Sequence, residues 1–248
     1  MFIGIGTVTN VATVIIGSGL GLLIGHRLTE RTRSLVTDAL GLVTLLIAAQ
    51  AAMEVSRTVL TDAVGTSLPI LIVLGSLVLG GIGGSILRLE DRLEGFGGWL
   101  QSKLARGGAG ESRERFIEGF VTSSLVFCIG PLTVLGSINE GLGNGADQLI
   151  LKSVLDGFAS LAFAASFGIG VMASALSLGI IQGSLTVLGV ALGSFVPEPH
   201  LVAVTATGGL ILVGVALRLL NIKIMPIADL LPALLLAPVL TQLAIVVH

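Results

Sequence analysis

Apolar residues run along this chain in long blocks separated by short polar breaks. Eight blocks are long enough to be helices that cross a bilayer, a task that takes about 20 apolar residues. They lie at 5–25, 35–54, 68–87, 116–137, 150–173, 177–196, 201–220 and 229–247. The blocks are rich in Leu, Ala and Gly and lack the strict alternation of barrel strands, so the pattern predicts helices throughout. The boundary between the fifth and sixth blocks falls between Ala173 and Gly179, where the pair also reads as one broken helix. One long polar connection remains, at 88–115. Its Leu89, Leu93, Phe96, Leu100 and Leu104 share one helical face, and Arg88, Arg92 and Lys103 supply charge. This predicts an amphipathic helix over 89–105 on the membrane surface, ending at Gly107-Gly108.

The expected fold is an all-α, polytopic transmembrane bundle with broken or kinked central helices. Its parts are a first repeat bundle (1–87), the amphipathic connection (88–115), paired central helices (116–173) and a second repeat bundle (177–248). Composition supports the reading: 53% of residues are hydrophobic and 11% charged, against about 25% charged in soluble domains. So few charges could not coat a water-facing globule of this length. The basic residues set orientation. Of the 13 Lys and Arg, only Arg57 and Lys152 fall outside the connections 26–34, 88–115 and 218–227. By the positive-inside rule those connections face the cytoplasm and both termini face away from it. An apolar start without a basic flank reads as a first span and not a cleaved signal.

An acidic half-motif recurs in the middle of the chain. Residues 118–130 read EGFVTSSLVFCIG and residues 156–168 read DGFASLAFAASFG. Glu118 matches Asp156, Gly119 matches Gly157, and Thr122 matches Ser160. Further matches join spans one to three with spans six to eight. TNVATVIIGSGLG (9–21) resembles IQGSLTVLGVALG (181–193), pairing Asn10 with Gln182 and Gly17 with Gly189. The second spans share Gly41 and Gly208, and the third and eighth share Leu-Pro at 68–69 and 231–232. An offset of five spans reverses direction across the membrane, so the plan is an inverted-topology repeat.

A carboxylate within a membrane helix is costly and marks a pathway or a charge partner. The expected pathway residues are Glu118, Thr122, Ser123, Pro131, Asp156, Ser160, Asn10 and Gln182. Glu118 and Asp156 would line opposite entrances, with Thr122 and Ser160 one turn further in. The plainer reading sets both acids at helix starts, where the dipole favours them, each with a local basic partner: Arg115 for Glu118 and Lys152 for Asp156. The hydroxyls serve a path or interhelical hydrogen bonding equally well. Pro131 frees a carbonyl near Phe127, which needs a partner or faces an ion; a packed kink is the favoured reading. Asp38 is a further intramembrane acid with weaker repeat support. His26, His200 and His248 sit at span ends as surface histidines. The glycine ridges 17-21-25 and 80-84 pack helices within the chain or form the seam of a homodimer.

Other classes find little support. The chain carries no basic, aromatic-bearing face for nucleic acid, no cluster with metal-ligand spacing, and no catalytic motif of a protease or hydrolase. No enzyme activity, metal or cofactor is expected. Cys128, the single cysteine, reads as a packing residue. The partners expected are the lipid bilayer and a small ion or polar solute, with a homodimer as the oligomer. Transport through the bundle is the first reading. A scaffold or sensor that docks a partner through the 89–105 helix is the second.

The segments GTVTNVATVIIGSGLGLLIG (6–25), FIEGFVTSSLVFCIGPLTVLGSI (116–138), KSVLDGFASLAFA (152–164) and LLPALLLAPVL (230–240) resemble the YqgA/YdfK group of bacterial inner-membrane proteins. That group is catalogued as a domain of unknown function. The resemblance covers essentially the whole chain. It implies a bacterial inner-membrane protein and brings no substrate or functional residue with it.

Overall fold

The computed structural model describes residues 2–25, 29–104, 113–128, 131–192 and 197–247. Among them are eleven α-helices and no strand. The order is α1 (Ile5–Gly25), α2 (Glu30–Met53), α3 (Thr58–Val64), α4 (Leu68–Leu87), α5 (Leu89–Leu104), α6 (Arg113–Cys128), α7 (Pro131–Gly141), α8 (Asp147–Phe167), α9 (Gly170–Leu192), α10 (Glu198–Leu219) and α11 (Ala233–Val247). Gly107, Gly108, Gly130 and Gly193, to which the sequence assigned turns or repeat positions, lie outside the described residues.

Local chemistry sets the helix ends. Thr29 caps α2 by accepting from the Thr32 amide at 3.3 Å. Proline sits in the first turn of α4 and α10, where a missing N–H costs nothing. Arg88 adopts a left-handed conformation (φ 50°) between α4 and α5.

Seven of these stretches are long and apolar enough to cross a membrane by themselves. Their outward faces carry Ile, Leu and Val in the open, as a hydrocarbon solvent requires. Helix α10 differs: 72% of its apolar window is buried, against 17–44% in the others. It is the central staff of the bundle.

Glycines decide how the helices meet. Gly17, Gly21 and Gly25 of α1 lie against Gly157, Leu161 and Ala165 of α8, so these two helices run parallel. Gly41 of α2 meets Leu220, and Gly209 of α10 meets Ala51 and Ala52, so α2 and α10 are antiparallel. Gly75, Gly80 and Gly84 of α4 meet Leu240, Ala233 and Asp229, which makes α4 and α11 antiparallel too. Both glycine ridges are therefore spent inside the chain. Helix α9 follows the remaining pair in parallel: Gly170 faces Phe116 of α6, and Gly189 faces Ile138 and Gly141 of α7.

The fourth block takes the broken form of the two expected for the central helices, and not the favoured packed kink. It is two helices, α6 and α7, whose axes differ by 71°. Pro131 opens α7; proline cannot continue a helix hydrogen-bond ladder but suits a first turn. The direction of α8 decides how this pair counts. For α8 to run parallel to α1, the chain must cross an odd number of times between them. Helices α2 and α4 with one broken α6–α7 crossing make three, which gives eight crossings in all.

The break between the fifth and sixth spans is also earlier than expected. It falls at Gly168-Ile169, not between Ala173 and Gly179. Gly168 has φ 85°, a conformation only glycine adopts at no cost, and it ends α8 there. The second span continues past residue 54 through a 3-10 turn (Glu54–Ser56) into α3.

Helix α5 is latched to the bundle by a reciprocal pair of contacts. The Glu90 amide donates to Asp229 Oδ1 at 2.9 Å. The Glu90 carboxylate accepts from the Ala228 amide at 2.7 Å and from Arg218 Nη1 at 2.8 Å. Each side chain satisfies an orphan N–H of the other helical turn. A Glu90→Ala variant should lose about 1.5–3 kcal/mol, as charged hydrogen bonds do. Trypsin should then cut faster within 88–115. Unchanged cleavage would show that α5 is held by other contacts.

Candidate functional site

Helices α1 and α9 cross antiparallel at the heart of the bundle, and their polar residues meet there. Thr7 lies 3.4 Å from Thr186, and Asn10 Nδ2 donates to Gln182 Oε1 at 3.3 Å. Asn10 and Gln182, paired by the repeat in the sequence, are thus in contact and fully buried. Asn10 Nδ2 also donates to Asp156 Oδ2 of α8 at 2.9 Å. The same carboxylate oxygen is paired with Lys152 Nζ, one helical turn away on the same face.

Asp156 is not at a helix mouth. With α8 spanning Asp147–Phe167, it lies mid-helix, about 15 Å from either end. The expectation of an outer entrance came from starting the span at 150 and ending it at 173. Asp156 is 8% exposed and Lys152 5%. A buried ion pair with its second hydrogen bond from an amide is therefore the centre of the molecule's polar chemistry.

The sequence singled out Glu118 as the counterpart of Asp156. The packing brings a further acid, Glu140, into a comparable place. Gly17 of α1 meets Gly157, while Gly189 of α9, which the sequence aligns with Gly17, meets Gly141. Gly157 and Gly141 thus occupy matching places, and so do the acids before them, Asp156 and Glu140. The signal was readable: Ser137-x-x-Glu140-Gly141 and Ser153-x-x-Asp156-Gly157 share one short pattern. The longer EGF/DGF match drew attention away from it. Glu140 is 3% exposed. Its Oε1 accepts from the Gly6 amide in the first turn of α1 at 2.6 Å, where the helix dipole favours an anion. Its Oε2 has no hydrogen-bond partner among the described residues.

Glu118 lies elsewhere, exposed on α6. With Asp38 of α2, Arg115 and Thr122 of α6, Ser166 of α8 and Arg218 of α10 it lines an open cavity of about 300 Å³. Asp38, which repeat symmetry supported less, shares this vestibule. Arg115 donates to the Ser166 carbonyl through Nη2 (2.6 Å) and Nε (3.2 Å), and Arg218 is held by Glu90.

The remaining expected pathway residues separate. Ser160 donates to the Gly157 carbonyl at 2.9 Å and packs where Gly17 closes on α8, which makes it a seam residue and not an open path. Ser123 is buried, and its hydroxyl finds no partner among the described residues; Ser124 and Ser137 share that state. The carbonyl freed at Phe127 accepts from the Thr133 hydroxyl at 2.9 Å, so it is satisfied internally. Pro131 acts through the break it imposes on the backbone.

Among the described residues no three His, Cys, Asp or Glu side chains converge as metal ligands. No solved structure matches the chain. The family model described as "Protein of unknown function (DUF554)" matches residues 5–242. The chain belongs to the DUF554 family. Two relatives agree over nearly their whole length. The "Uncharacterized protein YqgA" of Escherichia coli (strain K12) is 31% identical over 233 residues, 94% of each chain. The "Uncharacterized membrane protein YdfK" of Bacillus subtilis (strain 168) is 30% identical over 235 residues, again 94% of each. With seven stretches long and apolar enough to cross a membrane, besides the bent α6–α7 pair, this DUF554 chain is a multi-pass membrane protein.

Proposed function

We propose that the chain carries a small ion or small polar solute across the bacterial inner membrane, with both termini on the non-cytoplasmic side. The observation that carries this reading is the buried Lys152–Asp156 pair, mid-helix where α1 and α9 cross. Burying two charges in a bilayer costs more than their attraction returns unless the geometry is good, and an apolar pair would pack as stably. Ionisable residues at such depth mark ion or substrate pathways. Asp156 can exchange its Lys152 ammonium for an arriving cation or proton, which provides a gate and a coupling step in one contact.

An inverted repeat is the second part of the proposal. Helix α1 runs along α8 as α9 runs along α6–α7, while α2–α10 and α4–α11 are antiparallel pairs of repeat mates. Such a plan supplies two alternative packings around a midplane site. The broken α6–α7 crossing is the natural moving part, since backbone breaks at membrane depth are tolerated where they line a cavity.

The test is uptake into proteoliposomes of purified protein, across a panel of inorganic ions and small metabolites. Wild-type protein should move at least one of them. Glu118→Gln, which alters the vestibule, should slow that flux without lowering thermal stability. Silence across the panel by folded protein would sink the transport reading.

The scaffold reading keeps one observation in its favour. Phe96 and Trp99 of α5 stack at 5.6 Å and are 38% and 50% exposed. Phe96 also packs 5.8 Å from Phe120, and Leu93 packs on the core, so much of the apolar face of α5 is already covered by the bundle.

A further inference from the structure

The vestibule on the basic face is more specific than an entrance. Its two arginines are committed to the protein: Arg218 to Glu90 and Arg115 to the Ser166 carbonyl. Its two carboxylates are not. Asp38 is half-buried and Glu118 exposed, and neither has a hydrogen-bond or ion-pair partner among the described residues. Thr122 lies on the same wall. It is 2% exposed and reaches the cavity wall, with no hydrogen bond to another described residue. A hydroxyl so placed is satisfied by what enters the cavity, water or a ligand. The uncommitted groups on this wall thus include two anionic acceptors and the Thr122 oxygen, beside the Ser34 hydroxyl and the Asn221 amide, around about 300 Å³.

We propose that this vestibule, formed by Asp38, Glu118 and Thr122, is a binding site for a small cation that brings its own hydrogen-bond donors. The inference rests on the transport reading and names the charge class of the solute that enters from this face. Two sources share the chemistry: an alkali ion with its water shell, and a primary ammonium. A bare metal ion does not fit, because among the described residues no third acid, histidine or cysteine joins the pair to replace its water. A bulky quaternary ammonium does not fit either, since it offers no donor to the carboxylates. Charge-assisted hydrogen bonds from such a cation are the strong kind, and the site would concentrate cations beside α6.

Binding can be read without flux. Cys128 is the only cysteine and is buried, so a thiol-reactive dye reports unfolding of the detergent-solubilised protein. Melting would be followed against NaCl, KCl, ethanolamine hydrochloride and, as the ionic-strength control, tetrapropylammonium chloride. The expected result is a saturable rise in melting temperature with the alkali salts or with ethanolamine beyond that of the control. Asp38→Asn and Glu118→Gln should each weaken that response at least about tenfold, and Thr122→Val should weaken it less. The alkali and ethanolamine arms separate the two sources. If every salt acts like the control, or the three variants respond as wild type does, the proposal is overturned. Because the readout is equilibrium binding, a chain that binds here yet moves nothing refutes transport alone. A chain that transports yet does not bind here refutes this site alone.

Discussion

Lys152→Met should destabilise the protein by about 3–5 kcal/mol, and Lys152→Met combined with Asp156→Asn should recover most of the loss. The single change leaves a carboxylate mid-helix with only the Asn10 amide to answer it. An uncompensated charge at that depth is worth several kcal/mol, far beyond the packing difference between Lys and Met. The double change removes both charges together. The asparagine oxygen still accepts from Asn10, so the link from α8 to α1 survives. Melting followed through dye access to Cys128 in detergent measures both. Equal damage from single and double variants would mean that the pair acts through shape and not through charge.

The second large effect lies on the seam of α1 with α8. Gly17→Val would drive a side chain into the Gly157 carbonyl and Ser160 Oγ. The obstacle is largely backbone, which cannot rotate away, so the cost falls at or above the upper end of the about 1–3 kcal/mol range of overpacked cores. Gly21→Val meets the Leu161 carbonyl in the same manner. The contrast is with Gly83→Ala of α4, where an added Cβ meets nothing within 4 Å. There alanine should be neutral or stabilise by up to about 1 kcal/mol, the difference in helix propensity. Melting temperatures of the three variants, with the yield of monodisperse protein, decide the matter. Tolerance of valine at both positions 17 and 21 would contradict the packing of α1 on α8.

The contrast between what the residues foretold and what they hid follows from range. Helical crossings are announced by a property of each segment alone, its run of apolar residues, and the blocks at 5–25, 68–87 and 201–220 lie within three residues of helices α1, α4 and α10. Breaks depend on single residues. Pro131 was seen but given too little effect, and Gly168 ended α8 earlier than hydropathy suggested, because Ile169, Val171, Met172 and Ala173 beyond it keep the average high. That shift moved Asp156 from a mouth to the middle of its helix.

The site was partly legible. Asn10 and Gln182, flagged through the repeat, touch each other and Asp156. Glu118 and Thr122 line a cavity. Glu140 escaped notice because its acid sits at the end of a short helix that only the tertiary structure turns inward. The place of Lys152 depended on burial, which an i,i+4 spacing cannot report. Ser160 shows the reverse: a hydroxyl one turn from an acid suggested a path, and close helix contact claimed it instead.

The central claim is that the buried charge pair serves movement of a solute. Its most direct test is the rate of solute uptake by proteoliposomes holding wild type or the Lys152→Met/Asp156→Asn variant at equal amounts of folded protein. The account predicts uptake by the wild type and a rate at least about tenfold lower in the variant, a barrier change of about 1.4 kcal/mol or more. Equal uptake by the two, or none by the wild type, would contradict it.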